Sequence, residues 1–211
     1  MIKRTIVLLR HAESFKNIKG IHGGKGEALT DLGKKQVVET AKKLSGLFSA
    51  ENAIIFASTS KHTIETAQIL QNQLNLPFET PISFYHLNMG IIDGLSEEEI
   101  KTKYPDIQES LDAWRSNTIE IKQLNIPNME KYDSFWNRGL EFFEQLPKNK
   151  NIILVCSNSL MILLTHILLN NNPSTTNRYR HIAIPYCGII AFDSADDKYA
   201  LNKELTNIEI K

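Results

Sequence analysis

The hydrophobic positions of this chain fall into short unbroken runs, each closed by polar residues and most of them followed by a stretch with helical periodicity. The first run is Ile6-Val7-Leu8-Leu9, ending in Arg10-His11. Apolar residues without polar alternation read as a strand buried on both faces, as in parallel sheets covered by helices. Ala53-Ile54-Ile55-Phe56-Ala57 repeats the pattern and ends in Ser58-Thr59-Ser60, and Ile152-Ile153-Leu154-Val155-Cys156 repeats it again before Ser157-Asn158-Ser159. Between these runs the period changes to that of a helix. Val37, Ala41, Leu44 and Phe48 follow a cap at Thr30 with Gly33 at its third position, and Ile64, Ala67, Leu70 and Leu74 mark a second helix. Leu160 to Leu169 is almost wholly apolar and reads as a buried helix capped by Asn158. Asp133 or Ser134 is the expected cap of a helix that turns Phe135, Phe142, Phe143 and Leu146 inward until Pro147 stops it.

The remaining segments carry weaker signals. Phe78 to Phe84, interrupted by Pro81, is at most a short edge strand, and it leads into a glycine-punctuated loop from His86 to Leu95. Ser96 caps an acidic first turn, Glu97-Glu98-Glu99, and Lys101 to Asn128 is polar, contains Pro105 and Pro127 and lacks a buried-strand signature. This region reads as an inserted helical lobe at about 96–130. Gly188 to Phe192 and Tyr199 to Leu205 close the sheet across a turn at Asp196-Asp197. The order predicts an α/β fold: one domain spanning 1–211, built as a three-layer sandwich with a mostly parallel central sheet, helices on both faces and a small inserted helical lobe.

Composition narrows the partners. Lys plus Arg and Asp plus Glu both number 24, so no global field favours nucleic acid or an anionic membrane, and any attraction for anions is local. Cys156 and Cys187 sit in apolar surroundings without pairing or metal-ligand spacing, which reads as buried thiols in a reducing compartment. The apolar stretch after Met1-Ile2-Lys3-Arg4 is too short for a signal-peptide core, and no run approaches membrane-spanning length. A cytoplasmic location is the expectation.

In a parallel sheet ligands bind off the carboxyl ends of the strands. Arg10 and His11 fall at such an end, pairing a fixed cation whose planar fork suits phosphate or carboxylate with an imidazole able to attack or carry a proton. His62, at the start of a helix, His86, in the glycine loop, and Asn158, after the central strand, converge on the same edge. The histidines lack the short spacing of zinc motifs, so no metal is expected. His22 and Lys25 beside Gly23-Gly24, and Arg178, Arg180 and His181, read as solvated loop charges, with substrate contact as the alternative.

These residues carry a resemblance to the histidine phosphatase superfamily, the group that includes cofactor-dependent phosphoglycerate mutases and many small phosphatases. Arg10-His11-Ala12-Glu13 with Asn17 resembles that family's Arg-His-Gly-Glu box and following asparagine, and Leu29-Thr30 with Gly33 and Gln36 resembles its Leu-Thr-x-x-Gly-x-x-Gln helix start. Ser58 through Thr66-Ala67, Gly90 with Asp93-Gly94-Leu95, and Val155 to Asn158 with His166 further on match the later motifs in order. The resemblance implies that His11 is transiently phosphorylated and that Arg10 and Asn17 contact the phosphoryl group. It also implies departures. The family's second arginine falls on His62, its acidic proton donor on His86 and its second histidine on Asn158.

The expected function is therefore phosphomonoester hydrolysis through a phosphohistidine at His11, without metal or cofactor, and with activity open to reduction by the changes at His62, His86 and Asn158. Arg10, Asn17, His62 and Asn158 hold the phosphate, and His86 is the candidate proton donor. His62 replaces an arginine only when protonated, so the rate is expected to lean towards acid pH. A mutase fits less well, since a bisphosphorylated intermediate asks for more positive charge. The alternative is a non-catalytic relative that binds a phosphorylated small molecule or a phosphoprotein.

Overall fold

In a computed structural model of the chain, residues 4–80, 85–170, 180–195 and 198–210 are described. The elements run β1 (Arg4–Arg10), α1 (Phe15–Ile18), α2 (Asp31–Leu44), β2 (Ala53–Ala57), α3 (Lys61–Leu74), β3 (Phe78–Glu79), α4 (Glu97–Lys103), α5 (Pro105–Arg115), α6 (Tyr132–Glu144), β4 (Asn151–Cys156), α7 (Asn158–Leu168), β5 (Ile189–Ala195) and β6 (Lys198–Leu201), with short 3₁₀ turns at Gly90–Ile92 and Ile121–Gln123. The strands form one sheet in the order β3-β2-β4-β1-β5-β6. The pairs β3-β2, β2-β4 and β4-β1 are parallel, and β5 returns antiparallel to β1 and to β6.

Alternate residues of each central strand face opposite layers. Ile6 and Leu8 join the apolar cluster packed by α6 and α7, whereas Val7 and Leu9 join the one packed by α2 and α3. Every residue from Ile6 to Leu9 and from Ile152 to Cys156 is fully buried, which is why these runs contain no polar position. The three-layer sandwich expected from the sequence is the fold observed. Register brings the chemistry together: Arg10 pairs with Cys156 and Ala57 with Val155, so the ends of β1, β2 and β4 lie level. The His11 amide donates to the Cys156 carbonyl at 3.0 Å, and the Ser58 amide to that of Val155 at 3.0 Å.

Local signals held in some places and shifted in others. Thr30 caps α2 as expected, its hydroxyl accepting from the Gly33 amide at 2.9 Å. The cap of α7 is Ser157 rather than Asn158; the serine hydroxyl accepts from the Leu160 amide, and Asn158 becomes the first helical residue with its side chain released. Helix α6 starts at Tyr132, before either expected cap, because Tyr132 is itself buried with Phe135 and Trp136; Asp133 falls in the first turn, where its charge suits the helix N-terminus. The region read as a polar lobe does form helices, yet Ile100, Leu111, Ile121, Leu124 and Ile126 bury themselves in the same cluster as α6 and α7. Only Phe78–Glu79 of the expected edge segment is a strand, and positions 81–84, Arg178 and the Asp196-Asp197 turn lie outside the described residues. Both cysteines are free and buried. No helix among the described residues is long and apolar enough to cross a membrane.

Candidate active site

The level strand ends open into a cavity of about 300 Å³. All six residues singled out from the sequence line it: Arg10, His11, Asn17, His62, His86 and Asn158. Arg10 closes β1; its amide donates to the Gly188 carbonyl, its Nη1 to that of Ile184, and its guanidinium lies 4.4 Å from the centre of the Tyr186 ring. Burial lowers its pKa from the usual range, but an arginine stays protonated throughout.

His11 is 4 % exposed. Its Nδ1–H donates to the Ala12 carbonyl at 2.7 Å, which fixes the neutral tautomer and leaves the lone pair on Nε2. The Ala12 amide in turn donates to Thr66 Oγ1 at 3.3 Å, tying this turn to α3. Burial, followed by the neighbouring His62, holds the His11 pKa well below its ordinary value, so the ring is neutral near pH 7.

His62 packs against His11 with ring centres 4.0 Å apart and the ring planes tilted by 54°. Burial first, then the charges of Lys16, His86 and Arg10, push its pKa down to about 3. The expectation that His62 replaces an arginine by protonating is therefore corrected: burial and these charges hold it as a neutral imidazole near pH 7. Its Nε2 lies 3.3 Å from the Ser60 hydroxyl, and its Nδ1 faces Gly26, a residue at φ +83° where a Cβ would come within 2.5 Å of that nitrogen. Glycine is required there for the backbone angle and for the close approach alike.

Asn17 gives its carbonyl oxygen to the amide and hydroxyl of Ser14, at 3.1 and 2.7 Å, which leaves its amide NH₂ as the group available to the cavity. His86 has Nε2 3.9 Å from Asp93 Oδ1, an ion-pair distance. Burial and Lys16 lower the His86 pKa, while Asp93 opposes them. Asp93 also accepts from the Gly24 amide at 2.9 Å, so one carboxylate joins the two loops that flank the cavity. The segment bearing His86 is braced by Arg138, which pairs with Glu130 at 2.8 Å and lies 3.6 Å over the Tyr85 ring.

The cavity also contains residues the sequence did not single out. Lys16, on α1, lines it and forms no ion pair with a described residue; burial lowers its pKa, and its charge acts on His11, His62 and His86 alike. His22 and His181, read as solvated, are part of the wall, as are Trp114 and Arg115 of α5. Lys25 and Arg180 are not among the lining residues. The Leu111 to Trp114 spacing on an amphipathic helix was the available signal for α5, but Lys16 sits in a helix too short to show any periodicity. Arg10 Nε, His62 Nδ1, Asn158 Oδ1 and Trp114 Nε1 are buried without a hydrogen-bonding partner among the described residues. Such atoms are expensive, typically about 1–3 kcal/mol each, and their gathering at one cavity marks a site shaped for something other than stability.

The motif order along the strand ends matches a known family: the model of the histidine phosphatase superfamily, branch 1, covers residues 6–205. The chain belongs to the histidine phosphatase superfamily. A curated member from Buchnera aphidicola, a 2,3-bisphosphoglycerate-dependent phosphoglycerate mutase, is 30% identical over 201 residues, covering 79% of this chain and 85% of its own length. The 6-phosphofructo-2-kinase/fructose-2,6-bisphosphatase 3 of Bos taurus is 27% identical over 172 residues, covering 80% of this chain but only 34% of its own. The chain thus spans about a third of that longer superfamily relative. Among solved structures, a putative alpha-ribazole-5'-P phosphatase from Escherichia coli superposes with a TM-score of 0.77 at 18% identity, covering 99% of each chain. A mycobacterial glucosyl-3-phosphoglycerate phosphatase superposes with a TM-score of 0.76 at 18% identity, covering 98% of this chain and 100% of its own.

Proposed function

We propose that this superfamily member is a phosphomonoesterase in which His11 Nε2 attacks phosphorus in line. The observation that carries the reading is the state of His11: neutral, oriented through Nδ1, with its free nitrogen in a cavity whose lining includes Arg10 and Lys16, neither of them in an ion pair with a described residue. In the first step the N–P bond forms, the ester O–P bond breaks and His86, as imidazolium, gives its proton to the departing oxygen. The positive charge on the phosphorylated ring is stabilised by the Ala12 carbonyl that accepts from its Nδ1–H. Water then attacks phosphorus, neutral His86 takes its proton, and the N–P bond breaks to release phosphate and regenerate His11. The names of the curated relatives, a mutase and a bisphosphatase, are consistent with phosphoryl transfer.

A phosphoryl group in transfer spreads negative charge over its oxygens, and preorganised donors around them supply much of the rate. His62 brings no charge here and Asn158 carries none. Lys16 supplies the second cation beside Arg10, and Asn17 and Asn158 contribute neutral donors. Activity is metal-independent in this reading. Phosphate release from a panel of monoesters, measured from about pH 4.5 to 8 to span the histidine range, tests it. Turnover should be abolished in His11→Ala. No release from any ester would leave the cavity as a binding site for a phosphorylated ligand rather than a hydrolase.

A further inference from the structure

The cavity has two unlike ends. One is furnished by the strand ends and α1, with Arg10 and Lys16 as its cations. The other is furnished by the 97–124 segment, where Leu111, Ile121 and Leu124 are buried and Trp114 adds a large aromatic face. Among the described residues the arginine of that second wall, Arg115, is paired with two carboxylates, which leaves the group with a net negative charge. Arg115 Nη1 lies 3.0 Å from Glu97 and 3.0 Å from Asp112, and Glu97 itself lines the cavity. These carboxylates are held in place by buried Gln108, whose amide donates to Glu97 at 3.2 Å and to Asp112 at 3.1 Å. His22 lies 3.4 Å from Arg115 and His181 edge-on to Trp114 at 4.9 Å, and burial above all lowers the pKa of both.

We propose that the cavity takes a phosphomonoester whose leaving group is uncharged and flat with an apolar face, seated against Trp114, Leu111, Ile121 and Leu124. This rests on the reading of the Arg10–His11 end as the phosphoryl site. Two formal cations there match one phosphate dianion. A second phosphate or a carboxylate on the leaving group would meet the Glu97 carboxylate and an arginine with its charge already opposed, a like-charge contact that selects against it. An aromatic or similarly planar group instead covers the apolar wall and stacks against the indole, the arrangement by which small-molecule sites gain most of their affinity.

Calorimetry with two non-hydrolysable probes tests this without relying on turnover. Benzylphosphonate carries the flat uncharged group and 3-phosphonopropionate carries a second anion. Wild type should bind benzylphosphonate at least about tenfold more tightly, Trp114→Ala should remove most of that preference, and Glu97→Gln should narrow it several-fold by removing the carboxylate that faces the second anion, Arg115 staying paired with Asp112. Equal or tighter binding of 3-phosphonopropionate by wild type, or binding of neither probe, overturns the proposal. So does a preference unmoved in both variants. Failure of the catalytic reading shows separately, as benzylphosphonate binding without any phosphohistidine formed from phenyl phosphate.

Discussion

Replacing His62 by glutamine removes one imidazole from the cavity wall without adding or removing charge at neutral pH, and its effect on stability should depend steeply on pH. The unfolded chain binds a proton at this residue with the ordinary pKa of 6.5, whereas the folded pKa is about 3. Below 6.5 the unfolded state therefore holds more protons, so the stability due to this difference is complete above 6.5 and is lost as pH falls towards 3. One proton over the interval down to about pH 5 amounts to about 2 kcal/mol, and His62 is 3% exposed, so screening by solvent reduces it little. With a urea slope of about 2 kcal/mol/M, wild type should lose about 1 M more in its midpoint between about pH 7 and pH 5 than His62→Gln does. The other five histidines are shifted in the same direction, so both proteins lose stability in acid; the difference between their slopes isolates this residue. Parallel midpoints in the two proteins would refute the neutrality of His62, and with it the need for another cation beside Arg10.

The cation proposed for that place is Lys16, and Lys16→Met should lower kcat/KM by about a hundredfold in steady-state phosphate release while leaving the thermal midpoint in place, since the ammonium has no ion pair with a described residue to lose. Asp93→Asn should move the alkaline limb of the kcat profile to lower pH: in the proposed mechanism the donor is protonated His86, activity falls as pH rises through its pKa, and Asp93, ahead of Glu130, raises that pKa against burial and Lys16. An unmoved limb would take His86 out of the donor role. Gly26→Ala should destabilise the protein by about 1–2 kcal/mol or more in thermal unfolding, because a Cβ must be carried at positive φ and driven against His62.

The sheet was legible because its central strands are buried on both faces, which leaves a signature no surface segment imitates: Ile6 to Leu9 and Ile152 to Cys156 tolerate no polar residue. The cap at Thr30 was legible for a similarly local reason. The convergence of Arg10, His11, His62, His86 and Asn158 followed from the parallel order of the strands rather than from any motif spacing. What could not be read is set by contacts between distant segments. His62 is held neutral near pH 7 first by its burial and then by the charged groups that α1, the loop bearing His86 and β1 bring around it, and in the proposed mechanism the acid-leaning behaviour comes from His86 instead. Lys16 resembles a surface lysine until four-residue α1 turns it into the cavity wall. His22 and His181 look like loop charges until α5 closes over them. At α7 two good caps stood side by side, and Ser157 took the position, leaving Asn158 free for the cavity.

The central claim is that His11 Nε2 becomes phosphorylated. The most direct measurement is rapid-quench trapping with labelled phenyl phosphate under basic conditions that preserve a phosphoramidate, followed by peptide mapping. The account predicts label on His11, lost on acid treatment and absent from His11→Ala. Phosphate release with no label on His11, or label on another residue, would contradict it.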